Sequence, residues 1–174
     1  FILRTGIWDV NDPLIIDGNL IINGGTEINF SSNSYLIIKG YVRFNGKKNN
    51  KIILKAKDDY WKGIYVFEAS ERSFLDNVEI HNTDFLKDGI LELTGGVNFY
   101  KSDVDINNSV FLHSKAEDAL NIVESDFSID NTLFSKCSSD GFDSDFSDGV
   151  IKNSTFKNIL GDGVDFSGSN VKLN

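Results

Sequence analysis

Apolar residues along this chain come in short alternating runs, such as Leu120 and Ile122 or Phe127 and Ile129, with one polar or small residue between them. A period of two puts successive side chains on opposite sides of an extended strand, whereas an amphipathic helix needs spacings of three and four. Phe, Ile, Val and Thr dominate the runs. Gly, Asn, Asp and Ser fill the gaps, as expected for strands divided by tight turns.

The runs recur. "ALNIVESDFSIDNTLFSKCSSD" (119–140), "GFDSDFSDGVIKNSTFKNILGD" (141–162) and "GVDFSGSNVKLN" (163–174) align at an offset of 22 residues without a gap, and "GVNFYKSDVDINNSVFLHSKAED" (96–118) joins them with one extra residue. Near the N-terminus "GNLIING" (18–24), "GYVRFNG" (40–46) and "KGIYVFE" (62–68) keep the same offset. Between Ile64 and Val97 the spacing grows to 33, which predicts an inserted loop over 83–94. A unit of this length holds three strands, one winding of a coil, and stacking windings about 4.8 Å apart lets each strand bond to its counterparts. The expectation is an all-β parallel solenoid of roughly seven coils spanning 1–174 as one domain. Residues 1–17, with Trp8, are expected to cap it, and the C-terminal end, stopping mid-coil at Asn174, to be truncated or continued by another domain or chain stacked on it.

Stacked coils turn equivalent residues into columns. Leu20, Val42, Ile64, Val97, Leu120, Phe142 and Val164 are expected to form one inward apolar column, and Ile80, Phe111, Phe134 and Phe156 another. Cys137 aligns with Ile159 and reads as a small buried hydrophobe. Asn77, Asn108, Asn131 and Asn153 share a bend, where stacked amides can form an asparagine ladder. With its "IDNTLF" unit, its asparagine turn and its Asp-Gly pairs at Asp140 and Asp162, the chain resembles the right-handed parallel β-helix repeats of the pectate-lyase-like and NosD-like superfamily. The resemblance implies the handedness, and it implies that the face of the first strand lines a polysaccharide groove. It assigns no reaction.

On that face the outward column is expected to be Ile21, Arg43, Tyr65, Asn98, Asn121, Asp143 and Asp165, of which the last six are candidate ligand-binding residues. Asp145 shares the face of Asp143. Neighbouring carboxylates about one strand apart repel by about 3.5 kcal/mol at an effective dielectric of 20, so Asp143, Asp145 and Asp165 are candidate ligands for Ca²⁺, which takes six to eight oxygens. Asp143 and Asp165 are also the candidate acid and base of a glycan-cleaving site. The G-H-G motif of polygalacturonase-like relatives is missing, and His81 and His113 fall away from this face. Tyr65, Tyr100 and Trp61 are candidates for stacking on sugars.

Composition narrows the function classes. Net charge is −9, and it is uneven: residues 1–62 hold nine Lys/Arg against six Asp/Glu, residues 63–174 eight against twenty. Nucleic acid is thereby disfavoured as a partner, and Lys47, Lys48, Lys51, Lys55 and Lys57 read as a solvated turn. No apolar run approaches the roughly 20 residues of a membrane span. The absence of methionine implies a processed or excised chain. The expectation is a non-catalytic β-helical module of a larger secreted or cell-surface protein that binds carbohydrate along the first-strand face, the alternative being a polysaccharide lyase, hydrolase or epimerase working at its acidic end.

Overall fold

The computed structural model describes residues 1–174, and its strands wind into a parallel β-solenoid of about eight turns, against the roughly seven expected. Each turn contributes one strand to each of three parallel sheets. The first sheet holds eight strands: Ile2–Leu3, Leu20–Asn23, Val42–Asn45, Ser73–Asp76, Val104–Asn107, Asp126–Asp130, Asp148–Lys152 and Asn170–Leu173. The second holds seven: Gly6–Val10, Thr26–Phe30, Ile52–Ala56, Val78–His81, Val110–Leu112, Leu133–Cys137 and Thr155–Ile159. The third, also of seven, holds Leu14–Ile16, Leu36–Ile38, Ile64–Phe67, Val97–Tyr100, Asp118–Val123, Asp140–Asp145 and Val164–Ser167. There is no helix.

Inward side chains fill the interior as continuous stacks. In the second sheet Ile80 pairs with Phe111, Phe111 with Phe134 and Phe134 with Phe156. The three phenyl rings lie nearly parallel with centroids 4.8 Å apart, matching the strand spacing, so each ring rests on the next. Cys137 pairs with Ile159 and is buried, and desolvation pushes its thiol up to about 11. Trp61 is fully buried, stacked on Phe30 at 3.8 Å, with its Nε1 donating to the His81 carbonyl.

The corners have a repeating construction. In the later coils one residue at each bend takes a left-handed φ: Glu68, Lys101, Glu124 and Phe146 between the third and first sheets, Asn77, Asn108, Asn131 and Asn153 between the first and second, and, toward the third sheet, Asn82 and His113 just past the end of a second-sheet strand and Lys136 and Asn158 one residue before its end. Asparagine tolerates that conformation best among non-glycine residues. Its amides stack with aspartates as well as with one another: Asn131 Nδ2 donates to Asn108 Oδ1, whereas Asn77 and Asn108 donate to Asp76 and Asn153 donates to Asp130. After the left-handed residue, a hydroxyl turns inward. Ser102, Ser125 and Ser147 each donate to the carbonyl two residues earlier. Their oxygens also accept from the coil before: Ser102 N donates to Ser125 Oγ at 2.7 Å, Ser125 N to Ser147 Oγ at 3.1 Å and Ser147 N to Ser169 Oγ at 3.0 Å. These buried bonds satisfy backbone groups that a bend removes from the sheet ladders.

One expected column is split. Leu20 and Val42 pair with each other in the first sheet, whereas Ile64 belongs to the third, between Leu36 and Val97. Arg43 pairs with Phe74, well beyond Tyr65 in the chain, because the intervening coil is enlarged by a turn closed between Lys47 and Asn50 and by the bends on either side of Ile64–Phe67. The repeat offset therefore links Val42 to Ile64 in sequence without stacking them.

Candidate functional site

The outer face of the third sheet carries two rows of side chains. Strand register assigns one row to Ile15, Ile37, Tyr65, Asn98, Asn121, Asp143 and Asp165. The neighbouring row, two residues on, contains Phe67, Tyr100, Val123, Asp145 and Ser167. Asn98, Asn121, Asp143 and Asp165 thus form the single row expected of them. Ile21 and Arg43 do not join it. They sit on the first sheet, where Arg43 lies over the Tyr41 and Phe74 rings and pairs with Glu71 at 3.3 Å.

Tyr65 is in the row but faces no solvent. The extra chain between the second and third sheets forms an antiparallel hairpin, Leu86–Asp88 with Leu91–Leu93, that folds over the N-terminal half of the face. Leu86 packs there with Tyr35, Ile37 and Tyr65 in a small second core, with Leu91, Leu93 and Phe67 against it. Tyr65 Oη donates to the Lys62 carbonyl, burial pushes its phenol far above the ordinary range, and Tyr35 Oη donates to Asp88. Trp61 lies in the core, so neither it nor Tyr65 can stack on a ligand.

Along the hairpin's margin, where Ile37 and Phe67 also touch its core, and beyond it the face is open. Ile37, Lys39, Phe67, Glu68 and Tyr100 line a shallow trough of about 590 Å³. Phe67 and Tyr100 meet edge to face, centroids 6.3 Å apart, and the Lys101 ammonium lies 5.1 Å from the Tyr100 ring centre. Asn98 follows, its Nδ2 donating to the Gly95 carbonyl.

The far end is an acidic bay of about 240 Å³ lined by Thr94, Glu117, Asp118, Asn121, Asp140, Asp143, Asp145 and Asp165. Asp118 stacks on Asp140 and Asn121 on Asp143, which stacks on Asp165. Asn121 Nδ2 stands between two carboxylates, donating to Asp118 Oδ2 at 3.1 Å and to Asp143 Oδ2 at 3.5 Å. Its Oδ1 is buried and has no donor. Burial is the main cause that raises Asp118 to about 6, with Glu117, Asp140 and Asp145 adding repulsion against the opposing Asn121 bond. Asp143 rises further, to about 7, through burial and then the charges of Asp118, Asp145 and Asp165. Asp118 and Asp143 therefore hold their protons closer to neutrality than an ordinary carboxyl does.

The carboxylate oxygens that converge most closely are those of Asp140, Asp162 and Asp165, all within 4.8 Å of one another. Asp143 and Asp145, expected as metal ligands with Asp165, stand outside that group. Two of the converging carboxylates already accept backbone protons, Asp140 from Asp162 N and Asp165 from Phe166 N. Asp118, two residues before the apolar Leu120, escapes the alternating pattern, which gives no sign of its bond to Asn121. The signal that could find Asp118 is its place in the regular spacing of Asp118, Asp140 and Asp162. His81 ends a strand of the second sheet beside Glu79 and is drawn below its ordinary range chiefly by burial, and His113 occupies the following corner of that sheet.

No known family profile matches the chain, and no curated protein does. Among solved structures it is similar to WceF of Pantoea stewartii, a glycan biofilm modifying enzyme with a bacteriophage tailspike-like parallel β-helix fold, at 10% identity and a TM-score of 0.32 over 96% of this chain and 33% of that one. It is also similar to QnrB1, a plasmid-mediated fluoroquinolone resistance protein, at 12% identity and a TM-score of 0.18 over 95% and 91% of the two chains. The chain spans a third of the length of the first of these. Superpositions this loose carry no argument about function.

Proposed function

We propose that the chain is a non-catalytic carbohydrate-binding module of a secreted or cell-surface protein, and that its ligand lies along the open half of the third sheet. The supporting observation is the order of groups on one flat face: an aromatic trough at Phe67 and Tyr100, amides at Asn98 and Asn121, then carboxylates. Aromatic faces stack on the apolar side of sugar rings while amides and carboxylates accept from their hydroxyls, which is the chemistry a glycan needs. The raised Asp118 and Asp143 point the same way. Charges kept together against their own repulsion are more characteristic of a working site than of a scaffold.

Binding to an oligosaccharide array tests this, with two tyrosine variants as probes. Tyr100→Ala is expected to weaken capture about tenfold, as the loss of one stacking contact, with little change in melting temperature. Tyr65→Ala is expected to lower stability instead. Equal capture by wild type and Tyr100→Ala would defeat the proposal.

A second reading, a polysaccharide lyase, hydrolase or epimerase, is favoured by one observation. Asp143, raised to about 7 beside Asp118, has the protonation behaviour of a general acid. New reducing ends or unsaturated sugars after incubation with polysaccharide, lost in Asp143→Asn, would establish it over the binding module.

A further inference from the structure

Seven carboxylates crowd the acidic end of the face, those of Glu117, Asp118, Asp140, Asp143, Asp145, Asp162 and Asp165, and none of them is paired with a lysine, arginine or histidine. Asn121 adds an independent sign of a ligand. Its side chain lines the bay and the residue is only 9% exposed. Its NH₂ is committed to Asp118 and Asp143, and its Oδ1 has no donor. With Asp118 and Asp143 ionised, flipping the amide would turn that oxygen onto two carboxylates, so the hydrogen-bond network then favours this orientation. A buried acceptor without a donor, set among unpaired carboxylates, matches a ligand that brings N–H groups and positive charge together.

Resting on the carbohydrate-binding reading, we propose that the bay selects a polycationic glycan, an amino-sugar polymer with free ammonium groups. One ammonium pairs with the Asp143 carboxylate and, on a rotation of the Asn121 side chain that opens its solvent-shielded Oδ1, donates to that oxygen as well, and others along the polymer meet the row Asp118, Asp140, Asp162 and the neighbouring Asp165. The distribution of the charges favours a polymer over a single metal ion. The converging trio of Asp140, Asp162 and Asp165 leaves out Asn121, Asp118 and Asp143, whereas the carboxylates together spread over three successive coils. Successive coils are about 4.8 Å apart, close to the length of one pyranose unit, so each coil offers charge to the next sugar. The row of Asp145 continues through Val123 to Tyr100, two coils or about 10 Å away, so one chain can occupy both the bay and the aromatic trough. A uronic acid polymer would instead bring like charge to the bay.

Calorimetric titration with a β-1,4-linked glucosamine hexamer at about pH 7, where its amines and the Asp143 carboxyl are both partly ionised, tests the assignment against four other probes: the N-acetylated hexamer, a galacturonate hexamer, hexalysine and calcium chloride alone. The glucosamine hexamer is expected to bind about tenfold or more tighter than its N-acetylated form, the worth of one charge-assisted hydrogen bond, and to weaken as salt is raised. Asn121→Leu and Asp143→Asn are each expected to cut that preference to about twofold or less, the glucosamine hexamer losing more affinity than its N-acetylated form. If Asn121→Leu does not fold, Asp143→Asn and Asp165→Asn carry the test. Equal binding of the two hexamers overturns the charge assignment and leaves the carbohydrate reading standing, whereas failure of every glycan overturns both. Hexalysine binding as tightly as the glucosamine hexamer assigns the bay to basic polypeptide and overturns the glycan assignment. Stoichiometric calcium binding that displaces the glucosamine hexamer, or that is required for galacturonate binding, overturns it in favour of a metal site.

Discussion

Replacing Asp118 by Asn isolates the electrostatic burden of the acidic bay. Asp118 is 4% exposed, and its carboxyl rises from 3.8 to about 6 on folding. The folded protein therefore holds this proton more tightly than the unfolded chain. Its contribution to stability is fully present below the unfolded value of 3.8 and is lost as pH rises through about 6. The difference between those values corresponds to about 3 kcal/mol once both states are ionised. Asn keeps an oxygen for the bond from Asn121 Nδ2 and removes the charge, and part of the gain is shared with Asp143, whose own rise depends on Asp118. We expect Asp118→Asn to be more stable than wild type by about 1–3 kcal/mol at about pH 8, a rise in melting temperature of several degrees at about 2–4 °C per kcal/mol for a chain of this size. Near pH 4 the difference should be small, because the unfolded carboxylate then also binds protons. Thermal melts of both proteins across that range provide the measurement. A variant that is less stable than wild type at pH 8, or whose gain is the same at both ends of the range, would refute the reasoning.

Other perturbations address the scaffold. Phe134→Ala empties the middle of a three-ring stack and should cost about 3–5 kcal/mol in urea denaturation, since the rings above and below cannot collapse into the gap. Ser125→Ala leaves the buried Ser102 N–H without its 2.7 Å acceptor and should cost about 1–3 kcal/mol by the same measurement, with ligand binding unchanged. Asn131→Ala puts a less tolerant residue at φ 48° and removes the bond to Asn108. It should lower stability by about 1–2 kcal/mol with no loss of glycan affinity.

Where the coils are uniform, the sequence is a sufficient guide. From Val97 onward the repeat offsets match the strand register, so the row Asn98, Asn121, Asp143, Asp165 follows from spacing alone. Earlier in the chain the period misleads, because an enlarged coil makes the repeat carry Val42 to the wrong sheet and brings Arg43 into a row it does not occupy. Tyr65 shows a different limit. Its outward position follows from alternation, but its burial depends on a hairpin whose path over the sheet no periodicity encodes. The serine bonds at the corners are legible in principle, since Ser102, Ser125, Ser147 and Ser169 keep the period, yet small polar residues at bends are so ordinary that spacing alone does not distinguish them. The unpartnered Asn121 oxygen depends on side-chain geometry and lies beyond the sequence.

Apart from the hairpin's own pair, the ladders join each strand to others a whole winding away along the chain. A cut in the backbone consequently severs no sheet. Ile90, at the fully exposed tip of the hairpin, is the natural place for a protease to act, and the two fragments produced there would still be clasped through Ile64–Phe67 against Val97–Tyr100 and Ser73–Asp76 against Val104–Asn107. The molecule resembles rope wound on a spool more than beads on a string: its cohesion runs across the windings, and the strand of covalent bonds beneath them can be broken without letting the windings go.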